Sequence, residues 1–265
     1  MQTGDTAVTV QKSVPVLRYS PSPRSAPQRA PLREAVLLVR YHLRLLDRWP
    51  FALMALAFLG CALLAWAQAQ SGTAQGLSTA NDLSRFVLEP GAGLFAGVLA
   101  GSLVVSDPLL EATMATPTGI HGVVIRRFLL TLVILLVCSV AYLAWSLGAG
   151  ITYARQQSPL YLLLVWLVPV MLMGMLGLFG SLITRNAALG MALAAVPLAG
   201  SLFLYAPLLP IQAAHLFFVT YTYSGGQDAS DWWANRLSLL AVAMALAVAN
   251  LWLLHREERL LASRP

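Results

Sequence analysis

Charge is what this chain has least of. Only 11% of its 265 residues are Asp, Glu, Lys or Arg, while 58% are hydrophobic and the mean hydropathy is +0.71; soluble globular domains carry about 25% charge. Too few charges remain to cover a water-facing surface, so the composition excludes an ordinary soluble domain and predicts a membrane protein. Lysine is scarcer still. Lys12 is the only one, and it follows Thr9-Val10-Gln11. A phosphate-binding P-loop sets its lysine after a glycine-rich turn, so this chain has no ATP-hydrolysing site of that kind. Its two cysteines, Cys61 and Cys138, both fall inside apolar runs and read as small core residues, not as a disulfide framework. The apolar runs also lack the clustered His, Asp, Glu or Ser groups that an intramembrane hydrolase or transferase needs. No catalytic residue, metal or cofactor is expected.

What is present is long stretches of hydrocarbon. A helix crosses a core of about 30 Å with about 20 apolar residues, and six segments qualify: 51–68, 88–105, 128–149, 160–183, 187–206 and 237–254. The expected fold is therefore all-α, a polytopic membrane protein with six transmembrane helices. Of the 17 basic residues, only Arg85, Arg155 and Arg236 fall on one side of that arrangement. The excess of positive charge lies with the two termini, which places both in the cytoplasm and the protein in the cell membrane. No cleavable signal peptide is visible, because the first apolar run begins only at Phe51. That run is expected to act as its own insertion signal.

Residues 1–30 are rich in Pro, Ser, Thr and Arg without periodicity, the composition of a disordered cytoplasmic tail. A membrane domain is expected over 31–255 and a charged cytoplasmic tail over 256–265. From Pro31 to Pro50, Leu32, Val36, Val39, Leu43 and Leu46 recur at helical spacing, while Arg33, Arg40, Arg44 and Asp47 take the other side. This predicts an amphipathic helix in the headgroup plane, contacting membrane lipid, with Trp49 at the entry to the first span.

After the first span comes a polar loop, Gln70 to Ser84. The second span opens with Glu89 and Pro90 and continues through Gly91, Gly93, Gly97 and Gly101, the last three at four-residue spacing. Such spacing cuts a groove along one helix face into which another backbone can come close. Two readings stand for it, packing inside the protomer or the wall of a substrate path or subunit seam. Glu89 is the one acid at a span outside the cytoplasmic loops; it is either functional, because an ionised carboxylate is costly in lipid, or close enough to the interface to be wet.

The connector after the second span spends about twenty residues where a handful would do. Its order is Ser106-Asp107-Pro108-Leu109-Leu110-Glu111-Ala112-Thr113-Met114-Ala115-Thr116-Pro117, then a small-residue turn and Arg126-Arg127 at the mouth of the third span. Ser106, Asp107 and Pro108 make a helix start, since a capping residue, an acid and a first-turn proline all suit the positive helix end. Pro117 and Gly119 then stop it. This stretch resembles the cytoplasmic loop of ABC-2 type transporter permeases, in which an acidic cluster is followed by Gly-Thr, Leu, Glu, an apolar trio and Thr-Pro. Glu111 and Pro117 fall on the matching positions, whereas Pro108 stands where the family usually has Gly. The layout of the whole chain is also similar to that family.

The resemblance implies a transport subunit, an exporter without an ATPase site of its own. Its loop would be a coupling helix seated in a separate ATPase (nucleotide-binding) subunit, with Asp107, Leu110, Glu111, Met114 and Pro117 as the docking residues. Half a translocator also implies a second permease subunit, in a homo- or heterodimer. Nucleic acid is not an expected partner. A stand-alone secondary transporter or channel is the alternative reading; such carriers usually show embedded ionisable residues or paired broken helices.

Further on, the fourth span carries Pro169 and the Met-Gly stretch MLMGMLGLFG, a flexible filling for a core or a substrate wall. Beyond Pro207 and Pro210 the stretch IQAAHLFFVTYTYSGG is too broken to span again and resembles the outer hairpin of the same family. His215 in it has no metal-ligand spacing around it and reads as an interfacial residue. Trp232 and Trp233 anchor the outer start of the last span, and the tail HREERLLAS reads as a solvated helix end.

Overall fold

A computed structural model describes residues 48–105, 119–151, 159–224 and 229–262. The amphipathic segment expected from Pro31, as far as Asp47, and the whole stretch Ser106 to Pro117 expected to dock lie outside the described residues. Helix α1 is Arg48–Ala69, and Gln70 to Thr73 turn the chain back into α2, Ala74–Phe86. A π-helical turn, Val87–Gly91, joins α2 to α3, Ala92–Val105. Next come α4 (Gly119–Gly148), α5 (Pro159–Thr184) and α6 (Ala187–Phe203). Two single turns follow, α7 (Tyr205–Leu208) and α8 (Gln212–His215), before the long α9 (Trp232–Ala262). Among the described residues there is no strand.

Five helices are long and apolar enough to cross a membrane: Trp49–Ala69, Ala74–Leu103, Gly122–Gly148, Leu160–Thr184 and Trp232–Arg256. The protein is thus all-helical and built for several membrane passes. The expected span missing from these five is the fifth, 187–206, which is α6 with 17 residues. At 1.5 Å per residue it is about 25 Å long, short of a hydrocarbon core of about 30 Å. It ends at Phe203, and Leu204 leaves the helical conformation. Asn186 starts it, its Oδ1 accepting from the N–H groups of Ala188 (2.9 Å) and Leu189 (3.4 Å).

The expected polar loop Gln70–Ser84 is mostly helix. Thr73 accepts the N–H of Gly76 at 3.0 Å and so caps α2. Gly76, Ala80 and Ser84, small residues at four-residue spacing, form its buried stripe. The sequence read polar composition as a loop, whereas α2 needs only that narrow face, with Ala80 packed beside Ala65 and Ile151. The second span is therefore longer than expected and begins on the polar side.

Its centre is a backbone-to-backbone seam. A Cβ on Gly177 of α5 would stand 2.2 Å from the carbonyl oxygen of Gly97 in α3, and one on Gly190 of α6 would stand 2.6 Å from that of Gly177. Gly93 faces Met173 and Pro169, Gly97 faces Ala194 and Met173, and Gly101 faces Met191 and Gly190. The glycine face of α3 is thus occupied by α5 and α6 of the same chain. By contrast α1 and α9 turn most of their apolar surface outward, as with Leu56, Leu63, Val248 and Trp252, which suits lipid-facing helices.

Candidate functional site

Where the segment between α6 and α9 meets the bundle, the hydrocarbon core is interrupted by charge. The sequence sets this up through Pro90, which has no N–H to give to the preceding turn. The helix answers with the π turn Val87–Gly91, the kind of one-residue insertion that recurs at functional sites. Within it Glu89 is directed inward and is 0% exposed. It is not wet. Its Oε1 accepts the N–H of Thr222 at 3.1 Å and its Oε2 that of Tyr223 at 2.5 Å, and the Nη2 of Arg236 donates to Oε1 as an ion pair.

Arg236 stands in the second turn of α9 and is 1% exposed. Besides Glu89 it donates to the hydroxyl of Thr222 at 2.5 Å and, through Nη1, to the carbonyl of Val219 at 3.4 Å. Its guanidinium carbon lies 5.4 Å from the centre of the Trp232 ring, within cation–π range. Trp232 in turn donates its Nε1–H to Thr222 at 3.0 Å and stacks on Tyr161 of α5 at 4.1 Å. Glu89 is therefore held by three donors and both Nη atoms of Arg236 by fixed acceptors, its Nε alone lacking one; such added hydrogen bonds are what keep an ion pair in a medium of low polarity. The arrangement ties three parts together: the π turn, the segment from Val219 to Tyr223, and the start of α9.

A second cluster lies toward the water. His215 Nδ1 is 2.8 Å from Asp231 Oδ2, and its Nε2 is 2.8 Å from the carbonyl oxygen of Leu209. Tyr221 donates its hydroxyl to Asp231 Oδ1 at 2.7 Å. The hydrogen bond to Asp231 and that to Leu209 raise the His215 pKa above its ordinary value. The Tyr221 hydroxyl, followed by His215, holds Asp231 below the usual carboxylate range. Burial, with the Asp231 hydrogen bond, pushes the Tyr221 phenol up. Asn235 anchors the same segment from α9, its Nδ2 donating to the carbonyls of His215 (2.6 Å) and Phe218 (3.0 Å).

Of the residues singled out in the sequence, Glu89 lies at the centre of this site, and Gly93, Gly97 and Gly101 run down the same helix, away from it and into the seam. Asp107, Leu110, Glu111, Met114 and Pro117 lie outside the described residues. Arg236, Thr222, Trp232 and the Asp231–His215 pair were not read as site residues. One signal was available for Arg236: a lone arginine beside an apolar run and a lone acid beside another invite pairing. Asp231 was passed over because the last span was expected to begin at 237; α9 starts at Trp232, so Asp231 abuts it directly. His215, read as interfacial, is hydrogen-bonded to Asp231 through Nδ1 and forms an ion pair with it when the ring is protonated. Among the described residues no group of three or more His, Cys, Asp or Glu could hold a metal ion.

No family model matches this chain, and no curated protein or solved structure matches it significantly.

Proposed function

We propose that this chain is the membrane-spanning permease subunit of an ABC-2 type transporter, an exporter in the cell membrane driven by a separate ATPase subunit. The observation that carries the reading is the stretch Ser106 to Pro117, with Glu111 and Pro117 at the family's positions, set between two long apolar helices in a chain without a P-loop. The bundle is consistent with it, since α6 followed by two short turns and a returning α9 is the arrangement expected of a fifth span and an outer hairpin. On this reading α6 crosses the bilayer with help from local thinning, both termini are cytoplasmic, and two such chains pair. Chemical energy then enters at the docking stretch, and the tied segment above Glu89 closes the opposite end of the path.

One observation favours a second reading, a stand-alone secondary transporter. The Glu89–Arg236 pair is an embedded ionisable couple of the kind carriers use. Against it, Glu89 is fully buried and both its oxygens already accept hydrogen bonds from Thr222, Tyr223 and Arg236, so a coupling ion would have to reach a carboxylate that its neighbours hold in place. Reconstitution separates the two. Transport in liposomes should require both ATP and a co-purifying P-loop ATPase, and Glu111→Arg should lower it while leaving insertion intact. Transport by the pure chain down an ion gradient would support the carrier and sink the permease.

A further inference from the structure

We propose that His215, Asp231 and Tyr221 form a proton-dependent clasp that holds the stretch from Leu209 to Tyr221 closed over the cavity beside it and releases when His215 loses its proton. The geometry suits a doubly protonated ring, with the Tyr221 hydroxyl, 3.3 Å from Nδ1, turned to Asp231. Both imidazole nitrogens lie 2.8 Å from pure acceptors, a carboxylate oxygen on one side and a backbone carbonyl on the other. A neutral imidazole donates through one nitrogen only. Loss of the proton therefore leaves two lone pairs facing each other at one end of the ring, and one of the two ties must part.

These ties join three elements at the rim of the bundle. The Leu209 carbonyl follows α7, His215 ends α8, and Asp231 precedes α9. Beside them is a cavity of about 620 Å³ whose wall includes Gln212, His215, Tyr221, Ser230 and Asp231. The inner anchors are indifferent to this proton. Asn235 holds the His215 and Phe218 carbonyls through an amide, and Ser201 accepts the Val219 N–H at 2.8 Å. Release at His215 therefore loosens the outer rim while the segment stays pinned at Glu89.

The other groups around the ring do not titrate in the same window. Asp231 is held low and remains ionised, and Tyr221 is pushed up and remains a phenol. Tyr205 of α7, which acts on Asp231 across the cluster, is also raised by burial. Phe218, the remaining ring packed near His215, is apolar. The sign follows from the direction of the shifts. A raised His215 pKa means the clasp is fully present below the ordinary histidine value and is lost as pH rises through the folded one. The lowered Asp231 pKa means that the carboxylate side is lost only in strong acid. The clasp is closed in mild acid and open in mild alkali, whether or not the chain works with an ATPase.

Hydrogen exchange of the full chain in lipid nanodiscs, corrected for the chemical pH dependence of exchange, is the test. In the wild type, protection over 208–216 should fall roughly tenfold between about pH 6 and about pH 9, with its midpoint above the ordinary histidine value. His215→Gln should abolish that dependence, and Asp231→Asn should lower the midpoint. Imidazole ¹⁵N resonances of the wild-type protein supply a second readout that needs no variant to fold, with His215 seen as an imidazolium at about pH 6.5. Unchanged wild-type protection across the range, the same dependence in His215→Gln, or a neutral His215 at that pH overturns the clasp.

Discussion

The glycine seam and the charged node near the start of α9 hold the same bundle by opposite means. In the seam, α3, α5 and α6 touch through backbone, and what matters at Gly97, Gly177 and Gly190 is the absence of a side chain. At the node, Glu89, Thr222, Trp232 and Arg236 matter for the groups they bring, their polar atoms, the Arg236 Nε apart, set against specific partners. A seam made of backbone leaves no room for a side chain where the helices touch. A node made of charges fails when one member is removed, because the other is left alone in a medium that cannot solvate it. The difference teaches where this protein is able to change: the seam is a fixed core, whereas the segment above the node is held by a countable set of bonds.

Removing one charge should do the most damage. Glu89→Ala strands Arg236 and is expected to cost about 3–5 kcal/mol, whereas the double replacement of Glu89 and Arg236 by methionine should recover most of that loss. Thermal unfolding in a single detergent, read by tryptophan fluorescence, checks both; equal stability of the single and double variants would mean that the charges do not act as a pair. Next comes the seam. Gly177→Ala must push the Gly97 carbonyl away and should cost about 1–3 kcal/mol, while Gly60→Ala, with nothing near its added methyl, should stay within about 0.5 kcal/mol of wild type. If the two alanines behave alike, the seam is not a close backbone contact. A smaller effect is expected of Trp232→Phe, which keeps the ring on Tyr161 but deletes the N–H to Thr222 and weakens the cation–π contact. About 1 kcal/mol should go, and a loss as large as that of Glu89→Ala would make the tryptophan, not the ion pair, the centre of the node.

Most of the helices were legible because hydrophobic runs of membrane length are a composition signal that needs no tertiary information. The boundaries were less so. The sequence set the second span to begin at 88, but α2 extends it back to Ala74, since Gly76, Ala80 and Ser84 bury a stripe too narrow to register as hydrophobic. α6 falls short of the expected 206, stopping at Phe203 with Leu204 out of the helical conformation, and hydropathy alone does not see a break between apolar residues. Glu89 stood out as a lone acid, but its partners are 133 to 147 residues away in the chain. No local pattern joins a π turn to the start of the last helix. The glycine spacing of Gly93, Gly97 and Gly101 announced a close approach without naming the helix that makes it. The docking stretch is the reverse case, most legible in sequence and outside the described structure, so its role rests on the residues themselves.

A photoreactive amino acid in place of Glu111 addresses that role most directly. In the native membrane, crosslinking from position 111 should capture a P-loop ATPase subunit, and crosslinking from the lipid-facing Leu56 should not. Capture of no such ATPase from position 111, with the protein fully inserted and stable, would contradict a permease driven through this loop.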